Sequence, residues 1–309
     1  MKILNAPSAF EGEDQAIAYI DQCEKSFHNN VVALSQKLMS IEGLRLIGLT
    51  GPTCAGKTTA AAILIEQMQS AGRKVHLVSV DDFFRDQPHG RSLMNEPDGE
   101  KRLDFDSIDA LDFELFSQCL SELMMTGKTN VPKYDLGAGR RVGFVELLAP
   151  DQTDVILLEG IQVVYPEISE LLHQYTYHSI YIDVGSALAV GDSVFRPEDV
   201  RLMRRLVRDY HFRSSEAEFT FFLWHSVRAN EEKNIFPHVH LCESRLDSLM
   251  GYEIGLLRPY LETVLSQLDA DSECRSRAED ILKSIANVAP LNPCWLPSNA
   301  LYREFIPVS

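Results

Sequence analysis

Residues 51–58 read Gly-Pro-Thr-Cys-Ala-Gly-Lys-Thr and match the pattern G-x-x-x-x-G-K-S/T of a phosphate-binding loop. The preceding residues 44–50, Leu-Arg-Leu-Ile-Gly-Leu-Thr, form a short apolar run that is typical of a buried parallel strand. Residues 58–69 are rich in Ala, Ile, Leu, Glu and Gln, which favour a helix, and Gly72 ends it. A strand, a glycine loop and a helix start direct several backbone N–H groups at one point. The sequence therefore predicts a phosphate site there.

Two side chains of this loop have predicted roles in binding a nucleotide. Lys57 would reach the β and γ oxygens of a nucleoside triphosphate, and Thr58 would place its hydroxyl on Mg²⁺. The motif therefore predicts a nucleotide site that uses Mg²⁺.

The composition of the 309-residue chain is that of a globular, acidic, enzyme-like protein. Hydrophobic residues make up 45% of the sequence and charged residues 24%. A run of about 18 apolar residues, as a membrane span requires, does not occur, and residues 1–15 lack the pattern of a secretory signal. The net charge of −16 argues against nucleic acid as the partner, because basic surfaces hold phosphate backbones. Scattered cysteines without a C-x-x-C pair are typical of free thiols, so we expect a cytoplasmic protein.

Predicted strands and helices alternate along the chain. Further apolar runs are predicted as strands at 74–80, 155–158 and 179–184. Helices are predicted at 12–40, 109–125, 198–211, 251–268 and 280–288, and a hairpin at 131–145. This alternation predicts an α/β fold with a parallel sheet and helices on both faces. We expect residues 1–40 to form an N-terminal helical extension and residues 41–309 a P-loop domain.

Glu159 is a candidate magnesium ligand. It follows four apolar residues at the end of a predicted strand, where the carboxyl ends of parallel strands gather a ligand site. A carboxylate in this position can hold Mg²⁺ directly or through water. The alternative is a solvated turn carboxylate beside Gly160.

Asp81 and Asp82 end another predicted strand, and one of them could accept a proton from a substrate hydroxyl. We choose Asp81, although the periodicity does not separate two neighbours that point to opposite faces of the sheet. The alternative is that one of them caps a helix.

A row of arginines is predicted to form a basic lid. Arg201, Arg204, Arg205 and Arg208 share one helix face, and Arg213 lies just beyond. Like charges at this spacing repel unless an anion is present, and a polyphosphate would provide that anion. The alternative is a solvated face that pairs with neighbouring acidic residues.

His238, His240 and Cys242 alternate as they would on one face of a strand. They could bind zinc, but the spacing is loose and a fourth ligand is not evident. Ordinary packing is the interpretation we favour.

The order of several motifs resembles one enzyme family. The segments GPTCAGKTT, SVDDFFR, LDFDSIDALD, VPKYDLGAGRR, LLEGI and RLMRRLVRDYHFR resemble the uridine kinase and phosphoribulokinase group of P-loop kinases. The segments KNIFPHV and LYREFI are similar to those of bacterial uridine-kinase-like proteins. The resemblance covers about residues 44–306 and implies a nucleoside-kinase-like fold with a basic lid.

The resemblance implies ATP and Mg²⁺ as cofactors, with Glu159 joining Thr58 at the metal. Lys57, Arg204 and Arg208 would act on the transferred phosphate. The residues that would bind ATP are Gly51, Pro52, Thr53, Cys54, Ala55, Gly56, Lys57, Thr58, Thr59 and the lid residue Arg213.

The resemblance also implies a set of acceptor residues. Asp81 would be the base that activates the 5′-hydroxyl of a nucleoside, and Asp106 would hold the ribose hydroxyls. Phe84, Tyr134 and Arg140 would line the acceptor pocket. The family further implies a homo-oligomer.

This chain departs from the uridine-cytidine kinases at two positions. Phe84 stands where they commonly carry Tyr, and residues 137–139 form a glycine-rich turn where they carry a base-reading His. A site without these hydrogen bonds discriminates poorly between bases.

Two alternatives to a nucleoside kinase therefore stay open. A kinase for a sugar phosphate or a pantothenate-like acid would suit the basic segment with Arg85, Arg91, Lys101 and Arg102. A non-catalytic nucleotide-binding regulatory protein is disfavoured, because guanine-reading Asn-Lys-x-Asp and switch Asp-x-x-Gly motifs do not occur in the sequence.

Overall fold

The computed structural model describes residues 2–86, 93–95, 101–103 and 107–307 of the chain. The strands are β1 (Ile3–Ala6), β2 (Leu46–Thr50), β3 (Val75–Ser79), β4 (Leu93–Asn95), β5 (Lys101–Leu103), β6 (Lys128–Asp135), β7 (Arg140–Leu148), β8 (Val155–Glu159), β9 (Tyr177–Asp183), β10 (Ala187–Val190), β11 (Ser193–Phe195) and β12 (Ser244–Asp247). The helices are α1 (Glu13–Met39), α2 (Lys57–Ser70), α3 (Phe113–Thr126), α4 (Pro166–Leu172), α5 (Pro197–Arg213), α6 (Ala217–Asn230), α7 (Glu253–Ser266) and α8 (Arg275–Ile285).

Five parallel strands form the central sheet, in the order β12-β9-β2-β8-β3. Strand β2 lies in the middle, so the loop that follows it emerges between its two neighbours, β8 and β9. Because the strands are parallel, all of their carboxyl ends lie at one edge of the sheet. The predicted parallel sheet is confirmed.

Helices cover both faces of this sheet, as predicted. Alternate residues of β2 point to opposite sides: Leu46 packs into one core, and Ile47 and Leu49 pack into the other. The larger core includes residues of α1, α2, α5 and α7, and the smaller one includes residues of α3 and α4. Strands β6 and β7 form the predicted hairpin, an antiparallel pair with an irregularity between Lys133 and Tyr134.

The fifth strand was not predicted. Strand β12 has only four residues, of which Leu246 alone is buried, so its apolar pattern is too short to recognise. The strand predicted around His238, His240 and Cys242 is wrong, because Val239–Leu241 forms a 3₁₀ turn just before β12. In a 3₁₀ turn these three side chains do not share a strand face.

The N-terminal segment packs against the rest of the fold. In α1, Val31, Leu34 and Leu38 are buried in the larger core, and β1 pairs in parallel with β10. Near the other end of the chain, Trp295 donates from Nε1 to Glu13 Oε1 at 2.7 Å. Among the described helices, none is both long and apolar enough to cross a lipid bilayer.

Candidate functional site

The loop between β2 and α2 approaches its neighbours so closely that two of its positions require glycine. A Cβ atom at Gly51 would lie 2.0 Å from the backbone oxygen of Ile182 in β9. Gly56 has a left-handed backbone with φ of 86°, and a Cβ there would lie 2.9 Å from Leu301 Cδ1. The two glycines of the motif therefore allow the loop to fit between β9 and the C-terminal part of the chain.

Lys57 opens α2 and folds back over the loop. Its Nζ donates to the carbonyl oxygens of Gly51 at 3.0 Å and Pro52 at 3.2 Å. The first turn of α2, all of which the structure describes, contains no acidic residue. The positive end of the helix and the Lys57 ammonium thus face the same place, which suits a phosphate group.

Arg201 and Arg204 are buried behind the loop rather than exposed on a lid. Arg201 donates from Nη1 to the carbonyl of Thr53 at 3.4 Å, and Arg204 donates from Nη1 to that of Cys54 at 3.1 Å. Both side chains are at most 1% exposed. The prediction that Arg204 belongs to a mobile lid is therefore wrong, and the structure makes it a support of the loop.

Each of these two guanidiniums is held by carboxylates. Arg201 pairs through two nitrogens with Glu231, at 2.5 and 2.9 Å, and its Nε lies 3.1 Å from Asp183 Oδ1. Arg204 pairs through two nitrogens with Glu253, at 2.9 and 3.0 Å. Buried ion pairs of this kind require both partners, because a lone buried charge is strongly destabilising.

Arg208 and Arg213 lie further along the arginine row, with side chains that are 12% and 52% exposed. Arg208 donates to Asp209 Oδ1 from Nη2 at 2.6 Å, and Arg213 Nε lies 3.6 Å from the same oxygen. Burial lowers the pKa of Arg208, but Cys54, Asp209 and Glu304 together raise it, and the net result is a pKa above the ordinary value. Arg205 donates to the other oxygen of Asp209 at 3.0 Å, so three arginines share this one carboxylate.

Glu159 ends β8 next to the loop and is partly buried. Burial raises the pKa of its carboxyl, the Lys57 ammonium lowers it, and the charge of Glu304 raises it again. Thr58 is exposed at the start of α2. A hydroxyl and a carboxylate are oxygen donors of the kind that Mg²⁺ prefers, so these residues fit the predicted metal. Among the described residues, there is no group of three or more His, Cys, Asp or Glu side chains that could hold a metal ion.

Asp81 and Asp82 lie in the 3₁₀ turn Val80–Phe83 that follows β3. The carboxylate of Asp82 accepts from Lys133 Nζ at 2.5 Å and from the backbone N–H of Tyr134 at 3.2 Å. Asp82 therefore ties this turn to the β6–β7 hairpin. Asp81 stays the predicted base.

The predicted acceptor residues come together in part. The rings of Phe84 and Tyr134 meet edge to face, with 5.6 Å between their centroids, and Phe84 is buried. Asp106 lies outside the described residues, as does Arg91.

Arg141, rather than the predicted Arg140, turns toward this region. Arg140 is exposed opposite Asp135 in the hairpin. Arg141 donates from Nη2 to Asp112 Oδ2 at 3.2 Å and from its backbone N–H to Asp86 at 2.5 Å. Because the two arginines are adjacent, the sequence pattern does not show which of them faces inward.

Comparison with known proteins points to one family. The sequence profile of the Phosphoribulokinase / Uridine kinase family matches residues 46–242. A uridine kinase from Aliivibrio salmonicida is 27% identical over 179 residues, which cover 57% of this chain and 73% of that protein. A uridine kinase from Clostridium tetani is 32% identical over 165 residues, which cover 53% of this chain and 67% of that protein. A solved structure described as a possible uridine kinase from Bacillus stearothermophilus is 16% identical, with a TM-score of 0.48 over 72% of this chain and all of that one.

Proposed function

Because the chain belongs to the phosphoribulokinase / uridine kinase family, we propose that it transfers the γ-phosphoryl group of ATP to the 5′-hydroxyl of a nucleoside such as uridine or cytidine. The observation that carries this proposal is the order β2-β8-β3 in the sheet. Three adjacent strands thus lead to the loop before Lys57, to Glu159 at the end of β8 and to the turn after β3 that holds Asp81. Phosphoryl transfer requires a phosphate cradle, a metal site and a group that orients the attacking hydroxyl, and these three residues supply one part each.

In the proposed reaction, the acceptor oxygen bonds to the γ-phosphorus of ATP while the bond to the β–γ bridging oxygen breaks and ADP leaves. Asp81 accepts the proton of the attacking hydroxyl. The backbone N–H groups of the loop and the Lys57 ammonium bind the phosphate oxygens, and Arg208 and Arg213 offset the negative charge from the side of α5. Magnesium held by Thr58 and Glu159 would neutralise phosphate charge when it is bound.

The partly buried ring of Tyr134 supports a planar acceptor. It packs edge to face on the buried ring of Phe84 and offers an apolar surface to a nucleobase. The relatives described above are themselves named uridine kinases.

A second candidate acceptor is a small anion such as a sugar phosphate or a hydroxy acid. Asp112 lies between two guanidiniums, with Arg141 Nη2 at 3.2 Å and Arg85 Nη1 at 3.9 Å. Two guanidiniums have more N–H donors than Asp112 can accept from, and such donors suit an anionic acceptor.

Release of ADP from Mg-ATP separates the two candidates when it is measured with uridine, cytidine, ribulose 5-phosphate, pantothenate and glycerate. Lys57→Ala serves as the blank, because it removes the phosphate-binding ammonium. Turnover with uridine or cytidine above that blank is the expected result. Turnover with only the anionic compounds would show that the acceptor is an anion and not a nucleoside. A rate of ADP release equal to the blank with every compound would refute a kinase that uses these acceptors.

A further inference from the structure

The 3₁₀ turn Leu301–Glu304, here called the C-terminal strap, forms one wall of the phosphate-binding loop. Leu301 is fully buried against Gly56, and Tyr302 accepts a hydrogen bond from Arg204 Nε at 3.1 Å. The backbone N–H of Leu301 also donates to Glu24 of α1 at 3.3 Å. The strap is thus fixed from several sides, although it lies outside the residues 46–242 that match the family profile.

The last residue of the strap places a carboxylate at the start of α2. Glu304 Oε2 accepts a hydrogen bond from Thr59 Oγ1 at 3.1 Å. Thr59 lies in the first turn of a helix that has no acidic residue there, so Glu304 supplies the anion that the helix end favours. A bound phosphate chain would occupy the same neighbourhood, and its oxygens would compete with Glu304 for the hydroxyl of Thr59.

Other charges of the site respond to Glu304 as well. Together with burial, its charge raises the pKa of Glu159, and it helps to keep Arg208 protonated. Glu304 is therefore close enough to act on a charged ligand in the loop. The interaction of a carboxylate with phosphate groups is repulsive, and it grows with the charge of the ligand.

We propose that Glu304 is a specificity residue of the donor site, which weakens the binding of metal-free ATP more than that of Mg-ATP. Metal-free ATP carries about four negative charges and Mg-ATP about two, so the same carboxylate repels the free nucleotide more strongly. The inference rests on the proposed use of ATP. The role of the C-terminal strap is then to favour binding of Mg-ATP, the form that phosphoryl transfer requires, over binding of metal-free ATP.

Glu304→Gln tests this, because glutamine keeps the size and an acceptor oxygen for Thr59 but removes the charge. Calorimetry on the full-length protein gives the Kd of ATP at low ionic strength, once with excess Mg²⁺ and once with EDTA. We expect metal-free ATP to bind about tenfold more tightly to the variant and Mg-ATP about threefold, so that the preference for the metal complex falls. Glu304→Asp keeps the charge and should keep the preference of the natural protein.

Glu279→Gln is the matched control. Glu279 forms an exposed ion pair with Arg275, and the two side chains are 62% and 39% exposed, respectively. The variant removes one negative charge from this pair and should change neither Kd. Equal tightening of both forms in Glu304→Gln, unchanged binding, or weaker binding would overturn the inference while leaving ATP as the donor. Absence of ATP binding by the natural protein itself, with and without Mg²⁺, would overturn the proposed function together with this inference.

Discussion

Arg204 donates a hydrogen bond from Nη1 to the backbone carbonyl of Cys54, and 3.1 Å separate the two atoms. Cys54 has a left-handed backbone with φ of 59°, which is unusual for a residue with a side chain. The same guanidinium pairs with Glu253 and lies 5.2 Å from the ring centres of both Tyr302 and Phe305. The conformation of the phosphate-binding loop therefore depends on an ion pair that is buried behind it.

Replacement of Arg204 by methionine should be strongly destabilising. It leaves the carboxylate of Glu253 buried without its guanidinium, and breaking a buried pair in this way costs about 3–5 kcal/mol. The free energy of unfolding, measured by urea denaturation at pH 7, should fall by that amount. The affinity for ATP should fall as well, because the carbonyl of Cys54 loses its donor.

Two further variants control this measurement. Lys25→Met removes one partner of an exposed pair with Asp21 and should change the free energy of unfolding by less than about 1 kcal/mol. Arg204→Met combined with Glu253→Leu removes both buried charges and should recover most of the loss. A loss below about 1 kcal/mol in the single variant would show that the pair does not support the fold.

Gly51→Ala should abolish ATP binding. The added Cβ would lie 2.0 Å from the oxygen of Ile182, which is a backbone atom and cannot move aside as a flexible side chain could. We expect a loss of more than about 2 kcal/mol in the free energy of unfolding, since overpacking of this kind distorts the backbone. Gly143→Ala in β7 is the control, because an added Cβ there has no described atom within 4 Å and should leave ATP binding unchanged. Normal ATP binding by Gly51→Ala would contradict the close contact between the loop and β9.

Local patterns predicted the elements that build the site, but not the partners that complete it. The loop, β2, β3, β8 and β9 are visible in the sequence because each is a short apolar run or a motif with its own chemistry. The burial of Arg204 depends on Glu253, which lies 49 residues further along the chain, and that of Arg201 on Glu231, 30 residues away. Arginines that bind phosphate and arginines that pair with buried carboxylates have the same spacing on a helix, so the sequence pattern does not distinguish them.

The bond between Thr59 and Glu304 illustrates the same limit at a greater distance. The two residues are 245 positions apart, and the segment LYREFI showed only a likeness to other proteins, without a role for its carboxylate. Only the fold brings the strap to the loop. The prediction of Arg140 failed although the two arginines are adjacent: Arg141 is the one that donates to Asp112, close to an irregularity in the hairpin that the sequence pattern did not indicate.

Asp209 should make a contribution to stability that depends on pH. Burial raises the pKa of its carboxyl, but Arg208, Arg205 and Arg213 together lower it below the ordinary value. A carboxyl whose pKa is lower in the folded state stabilises the protein above the pKa of the unfolded state, about 3.9, and this stabilisation is lost as the pH falls through the folded-state value. Asp209→Asn should therefore lower the free energy of unfolding by about 1.5–3 kcal/mol at neutral pH.

Urea denaturation of the natural protein and Asp209→Asn between pH 8 and pH 3.5 measures this contribution. The difference between the two proteins should be constant from pH 8 to about pH 5 and should narrow only toward the acid end. A difference that widens as the pH falls would contradict a lowered pKa for Asp209.

The two neighbouring aspartates after β3 should differ in what they contribute to turnover. If Asp81 accepts the proton of the acceptor, Asp81→Asn should lower kcat by about 10²–10⁴ while the Kd of ATP stays the same. Asp82→Asn removes the charge that binds Lys133 and should loosen the contact between this turn and the hairpin. Because the hairpin carries Tyr134, we expect Asp82→Asn to raise the KM of the acceptor and to change kcat by less than about tenfold. Each variant keeps the size of the side chain and removes one negative charge, and the two positions are adjacent, so each variant is the control for the other. A larger loss of kcat in Asp82→Asn than in Asp81→Asn would make Asp82 the base.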